Sequence, residues 1–356
     1  MTPLTPILIE RIQRSGPLSI ADYMNECLLH PKYGYYATRD PFGAKGDFTT
    51  APEISQMFGE VLGLCLAQAW IDQGSPDGFT LAEIGPGRGT LMADILRATK
   101  RVPGFHTAAS IVLIDASPVL RDIQRDTLKD YDVHWKDSVS DFADAPLFLV
   151  ANEFFDALPI RQYIRAGLGW RERQVGIKDN TLSFGTTAPL PIKELEARLS
   201  DTKDGDLVEI CTPAQSITTT IAQHITRFGG VGIIIDYGDW QSLGDTLQAL
   251  KSHAFDPPLA HPGDADLTAH VDFEALSKAT TSTGCAITSM TPQGVLLERL
   301  GITTRAQQLA ATREGDALEN VIAAHRRLTH PEEMGTLFKA IALYPSGQTA
   351  PAGFTV

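Results

Sequence analysis

A doubly wound α/β fold is predicted by three observations on this 356-residue chain. Apolar runs alternate with helical periodicity from residue 79 onward, the pattern of a mostly parallel sheet with helices on both faces. One of these runs enters a glycine-rich turn and then a helix at once, in LAEIGPGRGTLMADILR (81–97). Another, Leu147 to Ala151, reads as a buried strand yet stops on Asn152 and Glu153 in PLFLVANEFFDALPIRQ (146–162).

Taken in order, residues 1–45 read as helical and then loop-like, with Leu4, Ile7, Leu8 and Ile12 near helical spacing. HPKYGYYATRDPFGAKGDFTTAPE (30–53) is rich in Gly, Pro and aromatics, the composition of a functional loop. Thr50 and Glu53 stand at capping-box spacing and predict a helix start. The stripe Ile54, Met57, Phe58, Val61, Leu62, Cys65, Leu66 and Ala69 continues it, with Gly59 and Gly63 one turn apart for close approach of another backbone. Strands follow at 79–85, 110–115, 133–135, 146–152 and 229–238, with helices at 90–100 and 117–130. Residues 160–190 change to short alternating runs separated by Gly167, Asp179 and Asn180, an antiparallel insertion. Residues 190–225 and 295–330 read as largely helical. The resulting division is an N-terminal helical and loop region at 1–72, the first part of the α/β domain at 73–160, an antiparallel and helical insertion at 161–228, and the second part of the domain at 229–356.

A net charge of −13 argues against nonspecific nucleic-acid binding, which needs basic surface. No apolar run approaches the roughly 20 residues that span a bilayer. The start, MTPLTPILIERIQRSG, lacks the features of a leader peptide, and Cys27, Cys65, Cys211 and Cys285 form no CxxC pair. A reducing cytoplasm is therefore the expected location. No metal site is expected, since the histidines show no H-x-x-x-H pair, and no G-x-S-x-G signals a serine nucleophile.

The glycine turn reads E-x-G-x-G-x-G, with Glu83 two residues before Gly85, then Pro86, Gly87 and Gly89. A dinucleotide loop presents amides to a pyrophosphate, beside which Glu83 would repel. S-adenosylmethionine carries a sulfonium, an ammonium and a ribose instead, and acceptors suit all three. Asp115, followed by Ala116 and Ser117, ends the next strand and is placed to accept from ribose hydroxyls. Asp137 and Ser138, after the third strand, are candidates for the adenine, with a plain surface acid as the alternative for Asp137. These residues favour a methyl donor over a dinucleotide.

Together with HPKYGYY, GDFTTAPEISQMFGE (46–60), NEFFDALP (152–159), IDYG (235–238), DLTAHVDF (266–273) and MGTLFKAIAL (334–343), this loop makes the chain resemble the MidA family. These are class I, Rossmann-like methyltransferases related to the mitochondrial complex I assembly factor that methylates an arginine. The resemblance covers nearly the whole chain; Asp115 stands where related sequences commonly have Glu, and either acid can hold a ribose. It implies S-adenosylmethionine as donor and a protein arginine as acceptor. The implied product is symmetric dimethylation in the 49-kDa-type subunit of NADH:quinone oxidoreductase. The alternative is a noncatalytic assembly factor that keeps the fold.

A guanidinium is a poor nucleophile, and a carboxylate that grips two of its N–H groups orients the third nitrogen. Glu153 is the first candidate for that carboxylate and Asp156 the second, with a turn cap as the alternative for Asp156. Asn152 contacts donor or acceptor, and Phe154 and Phe155 line a channel or belong to the core. Asp236, Tyr237, Asp266 and His270 are expected to complete the pocket. Gly46, Asp47, Phe48, Thr49 and Thr50 are expected to fold over the donor.

Overall fold

The computed structural model describes residues 1–38 and 50–356, which divide into two compact units. One is drawn from Thr49–Phe155, Gln215–Gly238 and Phe273–Val356, the other from Met1–Phe48, Asp156–Ala214 and Asp239–Asp272.

The first unit holds the predicted doubly wound sheet. The strands on the main path of this nine-stranded sheet are β1 (Phe79–Ile84), β2 (Ala109–Ile114), β3 (Val133–Lys136), β4 (Leu147–Asn152), β5 (Gly230–Asp239), β6 (Ala286–Ile287) and β7 (Phe338–Tyr344). They lie in the order β6-β7-β5-β4-β1-β2-β3. The run from β5 to β3 is parallel, and β7 is antiparallel to both β5 and β6. Every residue of β1 and of β4 is buried, Thr80, Glu83 and Asn152 included, so both read as largely apolar runs rather than alternating ones. The chain moves outward from β1 through β2 to β3 and then returns to lay β4 on the other side of β1. Ligands bind beyond the carboxyl ends of strands at such a reversal. Register pairs Ile84 with Ala151 and Asn152 with Ile235, so the ends of β1 and β4 lie side by side, and β5 runs on past them to Asp239.

Helix α1 (Gln56–Asp72) packs on α2 (Thr90–Thr99), which leaves the glycine turn. A Cβ at Gly63 would lie 2.9 Å from the Ile95 Cα, so the glycine permits the close approach its spacing suggests. The helix does not begin at the predicted box. Thr50 precedes only the turn Ala51–Ile54 and makes no side-chain cap, and extended backbone at Ser55 (φ −163°) separates that turn from α1. The Ser55 side chain accepts the Met57 N–H and caps α1 instead.

The second unit is antiparallel. Strands Leu18–Ser19, Gly169–Lys178, Arg161–Ala166 and Leu207–Ile210 lie in that order, and Thr181–Thr186 pairs with Gly169–Lys178. Asp179 and Asn180 take positive φ (48° and 60°), the two-residue hairpin turn that matches strand twist. Leu4, Leu8 and Ile12 of helix Leu4–Ser15 join its core, while Ile7 is 37% exposed. Gln248–Lys251 forms a separate small sheet with Ala254–Asp256 and Asp266–Thr268.

The helical expectation for 190–225 holds only from Thr212, where helix Thr212–Phe228 begins. Upstream lie two short 3₁₀ turns and the strand Leu207–Ile210. Pro189 and Pro191 lack backbone donors, and Gly205 in the DTKDGD turn takes φ 90°, so no longer helix can propagate there. The expected helices at 295–330 are present as Gln293–Arg299, Ile302–Ala310 and Asp316–Thr329. Among the described residues, no helix is long and apolar enough to cross a membrane.

Candidate active site

β1 delivers Glu83 to the sheet edge and then turns. The Gly85 N–H donates to the Ile114 carbonyl at 3.0 Å, tying the turn to the end of β2. Gly85, Gly87 and Gly89 all take positive φ (65°, 52° and 81°), and the Gly89 N–H closes on the Pro86 carbonyl at 2.7 Å. Gly85 is needed for a second reason: a Cβ there would sit 2.9 Å from Cδ2 of Phe154. The ring of the NEFF segment therefore packs directly over the glycine turn.

Glu83 is 3% exposed and accepts the Met92 N–H in the first turn of α2. Burial, reinforced by Asp115 and Asp94 and opposed by the Met92 bond, pushes its carboxyl from 4.5 up to about 8. Its Oε2 is buried without a hydrogen-bond partner among the described residues.

At the end of β2, Asp115 Oδ1 accepts the Ser117 N–H at 2.8 Å, and Oδ2 accepts from Gln124 Nε2 at 2.7 Å. Burial raises the Asp115 carboxyl above its ordinary value, while the Ser117 and Gln124 bonds and the Arg121 charge oppose the rise. Ser117 also caps α3 (Pro118–Thr127) by accepting from Leu120 N, and Ala116 between them is exposed. Asp137 is largely exposed and pairs with Arg121 at 2.6 Å, whereas Ser138 and Asp141 cap a short turn reciprocally.

β4 ends on Asn152 and Glu153. Glu153 takes φ 51°, a left-handed conformation that is uncommon for a residue with a side chain and clusters at functional sites. Its N–H donates to Ile235 O at 3.0 Å, which keeps it on the ladder with β5. Its Oε1 accepts from the Ala51 N–H and from Asn152 Nδ2, both at 3.0 Å. That second bond fixes the Asn152 amide and leaves its buried Oδ1 without a partner among the described residues.

Asp236, within β5 and one residue past the Ile235 that pairs with Asn152, is fully buried and accepts from the Phe155 and Tyr237 N–H groups, both at 2.9 Å. It thereby fixes the backbone of the NEFF turn against β5. Phe155 is core, its ring at right angles to Phe154 with centroids 5.3 Å apart, and Tyr237 packs edge-on against Phe338.

Two residues that sequence reasoning did not assign to the site join this edge. The Glu53 carboxylate accepts from Thr90 Oγ1 and lies 3.8 Å from the Arg88 guanidinium, so it braces the glycine turn rather than capping its own helix. Nothing local distinguishes this from the capping box, because the competing partners lie more than thirty residues away. Gln124 is fully buried, and its signal was visible: Leu120, Gln124 and Leu128 form one helical stripe, interrupted by an amide. Gly46, Asp47, Phe48 and Thr49 lie outside the described residues; Thr50 is buried immediately before Ala51.

The remaining candidates belong to the other unit. Asp156 and Asp266 are both buried there, with the Tyr36 hydroxyl donating to Asp266 Oδ1 at 2.9 Å. Burial, then the charges of Asp266 and Asp156, raises the Tyr36 hydroxyl well above 10. The Asp156 carbonyl accepts the Ala269 N–H. The His270 N–H donates to Thr246 Oγ1 at 2.9 Å, and Thr246 in turn donates through its N–H and hydroxyl to buried Glu209. Glu209 also accepts from Gln162 Nε2 at 2.7 Å.

The sheet edge is rich in acceptors: Glu83, Asp115 and the Asn152 carbonyl oxygen. Such a set fits a ligand that brings an ammonium and ribose hydroxyls, and would oppose a pyrophosphate. Among the described residues no group of three or more His, Cys, Asp or Glu is placed to hold a metal ion.

A sheet of this order, with a glycine turn after β1 and an acid after β2, is the class I methyltransferase architecture. Residues 61–291 match the family described as "Putative S-adenosyl-L-methionine-dependent methyltransferase". The chain is 34% identical to the mitochondrial protein arginine methyltransferase NDUFAF7 of Danio rerio, covering 96% of this chain and 87% of the relative. It is 33% identical to the Homo sapiens protein of the same name, covering 97% and 84%. A Burkholderia thailandensis protein solved with S-adenosyl-homocysteine bound superposes with a TM-score of 0.84 at 30% identity, covering 98% of this chain and 92% of that one. The chain belongs to this MidA-like family of S-adenosylmethionine-dependent methyltransferases.

Proposed function

We propose that the chain methylates a guanidinium nitrogen of a protein arginine, with Glu153 as the carboxylate that receives the guanidinium. The observation that carries this reading is the position of Glu153. It ends a mid-sheet strand beside the glycine turn, in a left-handed conformation, with Oε1 already held by Ala51 and Asn152. A carboxylate fixed in this way is preorganised for charge-assisted bonds to two guanidinium N–H groups. S-adenosylmethionine supplies an electrophilic methyl group on a sulfonium, which leaves as a neutral thioether.

On this reading Glu83, Gly85, Pro86, Gly87, Gly89, Asp115, Ala116 and Ser117 hold the donor, with Asp137 and Ser138 toward the adenine. Asn152 offers on the donor side its Oδ1, which has no hydrogen-bond partner among the described residues. Glu153 orients the attacking nitrogen and offsets its charge, and once the new C–N bond has formed the nitrogen passes its proton to the Glu153 carboxylate and from there to solvent. Asp236 and Tyr237 act through the backbone and core of this edge. The arginine methyltransferase name of the relatives supports the acceptor class.

The finer proposal is symmetric dimethylation in the 49-kDa-type subunit of NADH:quinone oxidoreductase, in the cytoplasm. The division at 1–72, 73–160, 161–228 and 229–356, with 161–228 contacting substrate, belongs to it. Labelled methyl transfer to the purified subunit tests the proposal, with mass analysis of the product. Label on an arginine is expected, and Glu153→Gln should lower the rate by about 10²-fold, the effect of removing one preorganised electrostatic contact. No label transferred by the wild-type protein, or full transfer by Glu153→Gln, would overturn the substrate and the residue assignment respectively.

A further inference from the structure

We infer that Gln124 is a positioning residue of the donor site, locking Asp115 and the glycine turn into one geometry. The inference rests on the reading that Asp115 takes the donor's ribose. Gln124 is fully buried on α3, and its side chain reaches the ends of three strands. Nε2 donates to the Gly87 carbonyl at 2.8 Å and to Asp115 Oδ2 at 2.7 Å, while Oε1 accepts from Trp135 Nε1 on β3 at 2.8 Å.

The orientation of the amide is not arbitrary. The indole N–H is a donor only, and the atoms on the other side are a carbonyl and a carboxylate oxygen, which accept. Reversing the amide would set acceptor against acceptor twice and donor against donor once, so one orientation survives.

The consequence lies in what remains of Asp115. The Ser117 N–H takes one lone-pair direction on Oδ1, and Gln124 takes one on Oδ2. Each oxygen keeps a further direction, enough for two ribose hydroxyls. Because a bond holds each oxygen, the carboxylate plane cannot rotate. Arg121 reinforces the frame from the same helix by donating to the Asp115 carbonyl through Nε at 2.8 Å. The side chain thus makes the position of the acid depend on the position of the Gly87 carbonyl.

The test is calorimetric titration of the full-length protein with S-adenosylhomocysteine, alongside thermal melting. Gln124→Met keeps the length and removes both the donor and the acceptor. Affinity should fall by about tenfold or more, the scale of a lost hydrogen bond to a charged group. Gln124→Glu gives the discriminating result. Its carboxyl can donate to Asp115 only when protonated, so affinity should be poor at high pH and recover as pH falls. The ionisable group it contacts is Asp115, to which Glu83 and Arg121 are coupled, and the wild type titrated over the same range supplies their own dependence.

Trp135→Phe, which releases the Oε1 anchor, should weaken binding less than Gln124→Met. It also keeps the question open to measurement if the methionine variant does not fold. Wild-type affinity in Gln124→Met, or a Gln124→Glu profile parallel to wild type, overturns the inference. Asp115→Asn is the separate control: undiminished binding there would sink the ribose assignment itself, whatever the Gln124 variants do.

Discussion

Glu83, Gly85 and Asp115 stand at or just beyond strand ends, and the turns that hold them are made largely by residues close in sequence. Gly89 closes on Pro86, Ser117 on Asp115, and Met92 on Glu83. The antiparallel unit builds its buried polar centre differently. Glu209 gathers Gln162 and Thr246 from 47 and 37 residues away, and Thr246 passes the support on to the backbone of His270. The glycine and Asp115 turns are shaped by backbone conformation and local spacing before Gln124 ties them together, whereas the Glu209 centre rests on side-chain bonds between distant segments throughout. The turns are therefore sensitive first to shape, and the Glu209 centre to the loss of single donors and acceptors.

Breaking the local design should cost most. Gly85→Val places a branched side chain at φ 65°, with its Cβ 2.9 Å from Phe154. Strain and overpacking each cost about 1–3 kcal/mol, and S-adenosylhomocysteine binding should fall below calorimetric detection. Retained binding would show that the turn tolerates the ring's displacement. Glu153→Gln comes next. It should leave donor affinity within about twofold while lowering methyl transfer by about 10²-fold, since its contribution is to the acceptor in the transition state.

Glu209→Ala probes the other region. It strips the acceptor from the Thr246 N–H and hydroxyl and leaves the Gln162 amide with Asp245 alone, at a cost of about 1–3 kcal/mol on chemical denaturation. Donor affinity should stay near wild type. Equal losses of donor binding and stability would dissolve the contrast between the two regions.

The last expectation concerns pH dependence and Glu83, whose carboxyl burial raises from 4.5 to about 8 in the folded protein. Between those values the folded protein holds a proton that the unfolded chain has released. Glu83 therefore makes stability fall as pH rises from about 4.5 to about 8. Glu83→Gln should flatten that slope in melting curves taken across the interval. An unchanged slope would place the ionisation elsewhere.

The same contrast explains what could be read from the sequence. β1 to β5, α2, α3 and the glycine turn follow from apolar runs and glycine spacing, which are local signals. β6 and β7 drew no assignment, because short apolar stretches do not separate strand from helix by periodicity. Thr50 and Glu53 matched a capping box by spacing, yet Glu53 serves Thr90 and Arg88, and tertiary partners outweigh a local cap. The strand carrying Glu209 was read as helix because its partners, Gln162 and Thr246, lie outside any window. Asn152 and Glu153 were legible as an anomaly, but the left-handed backbone of Glu153 was not.

Phe154 lies over Gly85, in the space a side chain there would need. The two segments are therefore interlocked parts, and neither can be exchanged alone. A chimera that imports a glycine turn from another methyltransferase must import its facing ring as well, and a library that varies 154 toward smaller residues opens room at 85. For anyone redesigning this enzyme, residues 85 and 154 are one variable.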